Sequence, residues 1–257
     1  MTDSARFSWT VLLPVKVLAR AKSRLAVLAG DRRRELALAL ASDTVTAVLA
    51  CPEVARVVVV TSDPVAGPLL AALGAVVVAD EPADRAQRLD RPGAPGPLDG
   101  ADVKPGLANI PAPADIPGLG VQDLLNAALR HGAAVAARRW PGTGLAALTA
   151  DLPAMSPAEL AAALRAAGAV PSGAAFVPDA AGVGTTLYAV PPGGEFLPLF
   201  GGASRARHAA AGATELRLAG MTGLRRDVDT PDDLREALAL GVGPFTRAVA
   251  ADLFTDV

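Results

Sequence analysis

Val57-Val58-Val59-Val60-Thr61 decides the fold class. Four β-branched residues in a row pack well on a pleated sheet and poorly on a helix. The run is short and apolar throughout, so it reads as a strand covered on both faces. Asp63-Pro64 ends it. Outward toward the N-terminus, Trp9-Thr10-Val11-Leu12-Leu13-Pro14 is a second run of this kind. Between the two lies a helical stretch from about Asp31 to Leu49, with Leu36, Leu40 and Val48 on one side. Outward toward the C-terminus, a short helix is expected over Pro68 to Leu73. A third buried strand, Ala75-Val76-Val77-Val78-Ala79, then ends at Asp80. Strand, helix, strand, helix, strand predicts an α/β fold: a mainly parallel sheet with helices on both faces. Such sheets bind ligands beyond the carboxyl ends of their strands. Pro14 to Arg24, Thr61 to Asp63 and Asp80 to Glu81 are therefore the first places to look for a site.

The stretch from Asp84 to Gly118 interrupts the alternation. It is rich in Pro and Gly without apolar periodicity, and is expected to be a mobile surface insertion. Order resumes at Gly120, with Val121, Leu124, Leu125, Ala128 and Leu129 on one helical face. A strand follows over Leu145 to Ala150, ending in Asp151-Leu152-Pro153. Ser156-Pro157-Ala158-Glu159 then has the form of a capping box with Pro at the first helical position. Shorter strands are expected at Ala174 to Val177 and Thr186 to Val190. Thr230-Pro231-Asp232-Asp233 repeats the helix-start pattern. The whole, residues 1–257, is expected to be a single domain carrying an insertion at about 84–118.

Composition bounds the function. The 257 residues are 51% hydrophobic and 19% charged, enough to bury a sizeable core and to exclude global disorder. Aromatics are only 4%, so aliphatic residues and Ala must build that core. A net charge of -2 provides no basic excess for a nucleic-acid backbone. A single cysteine, Cys51, excludes an internal disulfide framework and a Cys-rich zinc site, and it reads as a buried thiol. No run approaches the roughly 20 apolar residues of a membrane span, and no leader pattern is evident, so a cytoplasmic protein is expected. His131, expected at a helix C-terminus or on the surface, and His208 are too few and too distant for a histidine metal site. There is no Gly-Lys-Ser/Thr phosphate loop, no dinucleotide glycine fingerprint after the first strand, and no Ser-centred nucleophile elbow.

The residues that could carry chemistry cluster after strands. Lys16, Lys22 and Arg24 follow the first strand in a chain whose only lysines are Lys16, Lys22 and Lys104. Cations there can hold the phosphates of a nucleoside triphosphate. Asp151, at a strand end before a rigid Leu-Pro turn, is a hard oxygen ligand suited to Mg²⁺. In Arg226-Asp227-Val228-Asp229-Thr230-Pro231, an extended backbone would put Asp227 and Asp229 on one side, where either could join Asp151 on a metal. Asp232 and Asp233 are accounted for by the helix start they precede. Gly182-Val183-Gly184-Thr185-Thr186 and Phe200-Gly201-Gly202-Ala203-Ser204 combine glycines with hydroxyls, a chemistry suited to a phosphate or carboxylate. If a helix starts after it, Ser204 would be its cap and that N-terminus could hold an anion.

Together these motifs resemble the guanylyltransferases of coenzyme F-420 biosynthesis (the CofC/FbiD family). The pieces that carry the resemblance are Leu13-Pro14-Val15-Lys16 with Ala21-Lys22-Ser23-Arg24-Leu25, then Leu125-Asn126-Ala127-Ala128 and Ala150-Asp151-Leu152-Pro153. They continue with Gly184-Thr185-Thr186-Leu187, Phe200-Gly201-Gly202-Ala203-Ser204 with His208, and Asp227-Val228-Asp229-Thr230-Pro231. They fall in the family's order and span nearly the whole chain; the insertion at 84–118 departs from the family's compact pattern. The resemblance implies a nucleotide-diphospho-sugar-transferase-like (Rossmann-like) fold. It implies transfer of GMP from GTP to phosphoenolpyruvate, or to 2-phospho-L-lactate or 3-phosphoglycerate, with release of pyrophosphate. It implies Mg²⁺ held by Asp151 with Asp229 or Asp227, catalytic cations Lys16, Lys22 and Arg24, and acceptor binding at Thr186, Gly201 and Ser204. Guanine would be read near Thr61 to Asp63, and the product handed to a downstream transferase. A molybdenum-cofactor-type nucleotidyltransferase and a silent nucleotide-binding protein are the alternatives. The missing glycine-rich loop counts against the first, and the presence of the cations and carboxylates against the second.

Overall fold

A computed structural model describes residues 7–16, 18, 22–80 and 121–253; the expected insertion at 84–118 lies outside them. Among the described residues seven strands form one sheet in the order β3-β2-β1-β4-β6-β5-β7. They are β1 (Trp9–Pro14), β2 (Val54–Val60), β3 (Val76–Val78), β4 (Gly144–Leu148), β5 (Ala175–Pro178), β6 (Thr185–Val190) and β7 (Thr214–Glu215). Every pair is parallel except that β6 runs against both β4 and β5. This is the mainly parallel α/β sheet the alternation predicts.

The helices are α1 (Ala26–Ala29), α2 (Arg33–Leu49), α3 (Ala66–Ala72), α4 (Val121–Arg139) and α5 (Pro157–Gly168). Beyond these come α6 (Ser204–Ala210), α7 (Thr222–Arg225), α8 (Pro231–Leu240) and α9 (Pro244–Leu253). The period-two alternation of the strands sorts their side chains into two cores. Val11, Leu13, Val57 and Val59 pack with Val45 and Val48 of α2 and Leu160 and Leu164 of α5. The intervening Leu12, Val58 and Val60 pack with Ala128, Leu129 and Ala133 of α4. Each such side chain contributes about 1.5–3 kcal/mol when fully buried, which is why an unbroken valine run is stable only between two helix layers. A third cluster ties Leu36 and Leu40 of α2 to Val228, Leu234 of α8 and Val249 of α9.

Both expected capping boxes form. Ser156 Oγ accepts from the Glu159 N–H while the Glu159 carboxylate accepts from the Ser156 N–H, and Thr230 and Asp233 do the same at α8. Cys51 is buried. Three expectations are corrected. The strand expected at 75–79 is shorter, and it is the sheet's edge: with only β2 beside it, Val77 remains 37% exposed. The strand expected to reach Ala150 ends at Leu148, because its last residues turn into the site described below. His131 is not at a helix C-terminus: α4 runs on to Arg139 and leaves it half-buried in mid-helix.

Candidate active site

The topology brings four chain segments to one edge of the sheet. β1, β4 and β5 all end there, and β6, being antiparallel, starts there. Between them lies a cavity of about 470 Å³. It opens where the strand order reverses: from β1 the chain moves outward to β2 and β3, then returns to β1's other side as β4. Such a switch point leaves a crevice between loops that depart in opposite directions.

Lys16, Lys22 and Arg24 from the end of β1, Asp151 from the end of β4, and Asp227 and Asp229 from the segment before α8 all line this cavity. All six residues singled out for phosphate or metal therefore converge. Lys22 is their hub. Its ammonium donates to Asp151 Oδ2 and, at 2.7 Å, to Asp229 Oδ1. Burial by itself would lower the Lys22 pKa, but the two carboxylates outweigh it and hold the amine firmly protonated. Its backbone occupies the left-handed region at φ 51°, the one non-glycine among the described residues to do so. For a side chain with a Cβ this is a strained conformation, of the kind kept where the surroundings demand it.

The acids differ in their surroundings. For Asp229, burial alone would raise the pKa; Lys22, Arg24 and Lys16 reverse that and hold the carboxyl below its usual range. Asp227 is pushed well above the usual range, by burial first and then by the charges of Asp151, Asp229 and Asp179. Among the described residues no three His, Cys, Asp or Glu side chains gather closely enough to hold a metal by themselves. Mg²⁺ does not require that: it is held by one or two carboxylates with the remaining positions filled by phosphate and water. Asp151 and Asp229 already share one cation, and Asp151 Oδ1 is buried with no hydrogen-bond partner. A hard donor pair with an unused oxygen fits the ligand chemistry of a magnesium ion.

The opposite wall comes from the glycine-rich stretches. The register between β5 and β6 shifts between Val177 and Pro178, so Pro178 pairs with Thr185 and Thr186 is passed over. This bulge puts Thr185 on the cavity wall in place of the expected Thr186, whose hydroxyl is buried without a partner. Asp179 also lines the cavity and accepts from the N–H groups of Val183 and Gly184, at 2.9 and 2.7 Å. A Cβ on Gly184 would lie 2.4 Å from that carboxylate, so a side chain there would have to push Asp179 away from the N–H groups it binds. Gly201, Gly202 and Ser204 complete the wall as expected. Ser204, however, is not the cap of α6: the cap is Ala203, and Ser204 is the first helical residue. The first two helical N–H groups are already committed, Ser204's to Gly202 C=O and Arg205's to Val183 C=O. An anion here would meet the Ser204 hydroxyl, not a free helix N-terminus.

Thr61 to Asp63 do not line the cavity. Asp63 instead accepts from the backbone N–H groups of Leu18, Val65 and Ala66, so it fastens the loop after β1 to the start of α3. Asp179 was missed in sequence, although it stands directly after a strand and Asp151 only a little beyond one; the shortness of β5 hid the signal.

The chain is 51% identical over 250 residues to the phosphoenolpyruvate guanylyltransferase of Thermomonospora curvata, covering 97% of this chain and 92% of that one. It is 54% identical over 246 residues to the protein of that name from Streptomyces coelicolor, covering 95% and 97%. Among solved structures, it is similar to a nucleotidyl transferase from Methanothermobacter, with a TM-score of 0.51 at 19% identity over 91% of this chain and 97% of the other. It is also similar to a protein of Desulfovibrio desulfuricans G20 described as a nucleotide-diphospho-sugar transferase, with a TM-score of 0.50 at 14% identity over 90% and 96%. These two support the fold alone. No family model matches the chain. With relatives of about half identity across nearly its full length, the chain belongs to the phosphoenolpyruvate guanylyltransferase family of nucleotidyltransferases.

Proposed function

We propose that the protein transfers GMP from GTP to the phosphate of phosphoenolpyruvate, yielding enolpyruvyl-diphospho-guanosine and pyrophosphate, as a step of coenzyme F-420 biosynthesis. The observation that carries this reading is the meeting of Lys16, Lys22 and Arg24 with Asp151 and Asp229 in one cavity at the switch point of the sheet.

An oxygen of the acceptor phosphate attacks the α-phosphorus of GTP in line. The bond from that phosphorus to the bridging oxygen breaks, and pyrophosphate leaves with the electron pair. The acceptor phosphate is already ionised at neutral pH, so no side chain has to act as a base. The work of the protein is positioning and charge neutralisation. Lys16, Lys22 and Arg24 would bind the triphosphate and stabilise the charge that builds on pyrophosphate. Lys22, tethered to two carboxylates, is held where it can be shared with a phosphate. Gly201, Ser204 and Thr185, with Thr186 beneath them, would receive the acceptor's phosphate and carboxylate. Asp151 and Asp229, with Asp227 beside them, would hold Mg²⁺, which when bound neutralises phosphate charge.

The product is an activated diphosphate, which suits hand-over to a downstream transferase. Among the described residues no helix is long and apolar enough to cross a membrane. The test is pyrophosphate release from GTP and Mg²⁺, run with phosphoenolpyruvate, 2-phospho-L-lactate and 3-phosphoglycerate in parallel. Release with phosphoenolpyruvate alone is expected. Release with another acid would retain the chemistry and change the acceptor, and silence with all three from folded protein would overturn the reading.

A further inference from the structure

Phe200, Gly201 and Gly202 line the cavity, yet the segment from Leu199 to Gly202 belongs to no helix or strand. Its backbone polar groups cannot be satisfied by a ladder, and buried ones must find other partners. Side chains supply them. The Asn126 amide from α4 clamps Phe200 from both sides: its oxygen accepts from the Phe200 N–H at 2.9 Å, and its nitrogen donates to the Phe200 C=O at 3.1 Å. Arg207 donates to the C=O groups of Phe200 and Gly201. His208 Nε2 accepts from the Leu199 N–H at 2.9 Å, and its Nδ1 lies 3.0 Å from Thr185 Oγ1.

These bonds define the state of the imidazole. A backbone N–H can only donate, so Nε2 carries no proton, and the neutral ring donates from Nδ1 to Thr185. The ring is also fixed in place. It stacks on Tyr188 at 4.7 Å and Phe176 at 5.6 Å and meets Phe200 edge-on at 5.5 Å. Both Asn126 and His208 are almost wholly buried, at 5% and 0% exposure. An apolar residue would fill either place at lower desolvation cost if packing were the whole requirement. Instead, one side chain ties Thr185 to Leu199, and the other fixes the next residue, directly before the two glycines that face the cavity with φ of 95° and 47°.

We propose that Asn126 and His208 are positioning residues for the acceptor: they touch no reacting atom, but hold Thr185 and the Leu199–Gly201 backbone in the register that Gly201 and Ser204 need to bind it. This rests on the guanylyltransferase reading and extends it to two residues outside the cavity lining.

The test is steady-state kinetics of pyrophosphate release, with KM measured separately for phosphoenolpyruvate and GTP. Asn126→Leu, similar in shape, loses both bonds to Phe200. His208→Gln can place its amide oxygen near the position of Nε2 and retain the Leu199 bond, whereas His208→Asn reaches only toward Nδ1 and loses it. The expected result is a phosphoenolpyruvate KM raised about ten-fold in Asn126→Leu and His208→Asn, as for one or two lost hydrogen bonds. His208→Gln is expected to fall between them and the wild type, with the GTP KM within about two-fold throughout. Asn126→Ser, which removes the amide without adding a buried charge, serves as the second variant should Asn126→Leu fail to fold. Folded variants with an unchanged phosphoenolpyruvate KM, or with both KM values raised together, would overturn the proposal. Wild-type protein assayed alongside separates the two levels: no release from it overturns the guanylyltransferase reading itself, whereas normal wild-type turnover with unaltered variants overturns only the positioning role.

Discussion

At the scale of the residue, function turns on which charges are shared. Asp151 bonds to Lys22 through one oxygen and has its other buried without a partner. Asp151→Asn retains the shape and removes the charge, and it is expected to abolish pyrophosphate release while leaving the circular dichroism spectrum and melting temperature close to wild type. Near-normal turnover would sink the metal assignment. Lys22→Gln is expected to lower kcat/KM for GTP by roughly 100-fold or more, as for loss of one pre-placed stabilising donor; steady-state kinetics at saturating acceptor would read it. His208 makes a different prediction. Burial first, and the neighbouring Arg207 charge second, lower its pKa from 6.5 to about 4. The unfolded chain therefore takes up the proton first as pH falls. His208's contribution is fully present above about pH 6.5 and is lost progressively as pH falls toward 4, reaching at most about 3 kcal/mol. Urea midpoints from pH 7 to 4 should fall less steeply in His208→Gln; parallel curves would refute the assignment.

Secondary-structure elements here are placed by close contacts as much as by propensity. Helix α4 lies directly on the sheet at Gly132, where a Cβ would come within 2.6 Å of Val60 Cγ2 and 3.0 Å of Leu12 Cδ2. Gly132→Ala should gain about 1 kcal/mol of helix propensity and lose about 1–3 kcal/mol to overpacking, because a packed valine methyl has nowhere to go. Net destabilisation is expected, read as a lower urea midpoint; a stabilised variant would mean that α4 can lift from the sheet freely. The start of α8 has a second role. Besides its capping box, Asp233 accepts from the Asp229 N–H at 3.2 Å, so the cap that begins the helix also orients a candidate metal ligand. That box was legible as Thr230-Pro231-Asp232-Asp233 because capping is a local geometry with a fixed spacing. The coupling to Asp229 was not, since it depends on how the chain enters the helix.

Across the whole molecule, distant segments are fastened by buried polar groups. Asp43 of α2 is buried and accepts from the N–H groups of Phe245 and Thr246, at 3.1 and 2.7 Å, capping α9 from the far side of the sequence. Asp43→Ala leaves those donors unpaired and should cost about 2 kcal/mol. It should also make α9 the first part cut by a protease, whereas Asp43→Asn, which retains an acceptor, should lose less; equal stability of all three would refute the cap. No sequence signal links Asp43 to Phe245, and the same limit governs the site. By itself, the sequence determined the alternating strands and helices, the two capping boxes and the positions of Lys16 and Asp151 beyond the ends of strands. All of these follow from short-range periodicity and residue chemistry. Only the tertiary structure decided that the bulge in β6 turns Thr185 instead of Thr186 to the cavity, that Asp63 serves the backbone while Asp179 reaches the cavity, and that Asn126 and His208 fasten the backbone of Leu199 and Phe200. Each of these depends on strand order and register, which are settled by contacts between residues far apart in the chain.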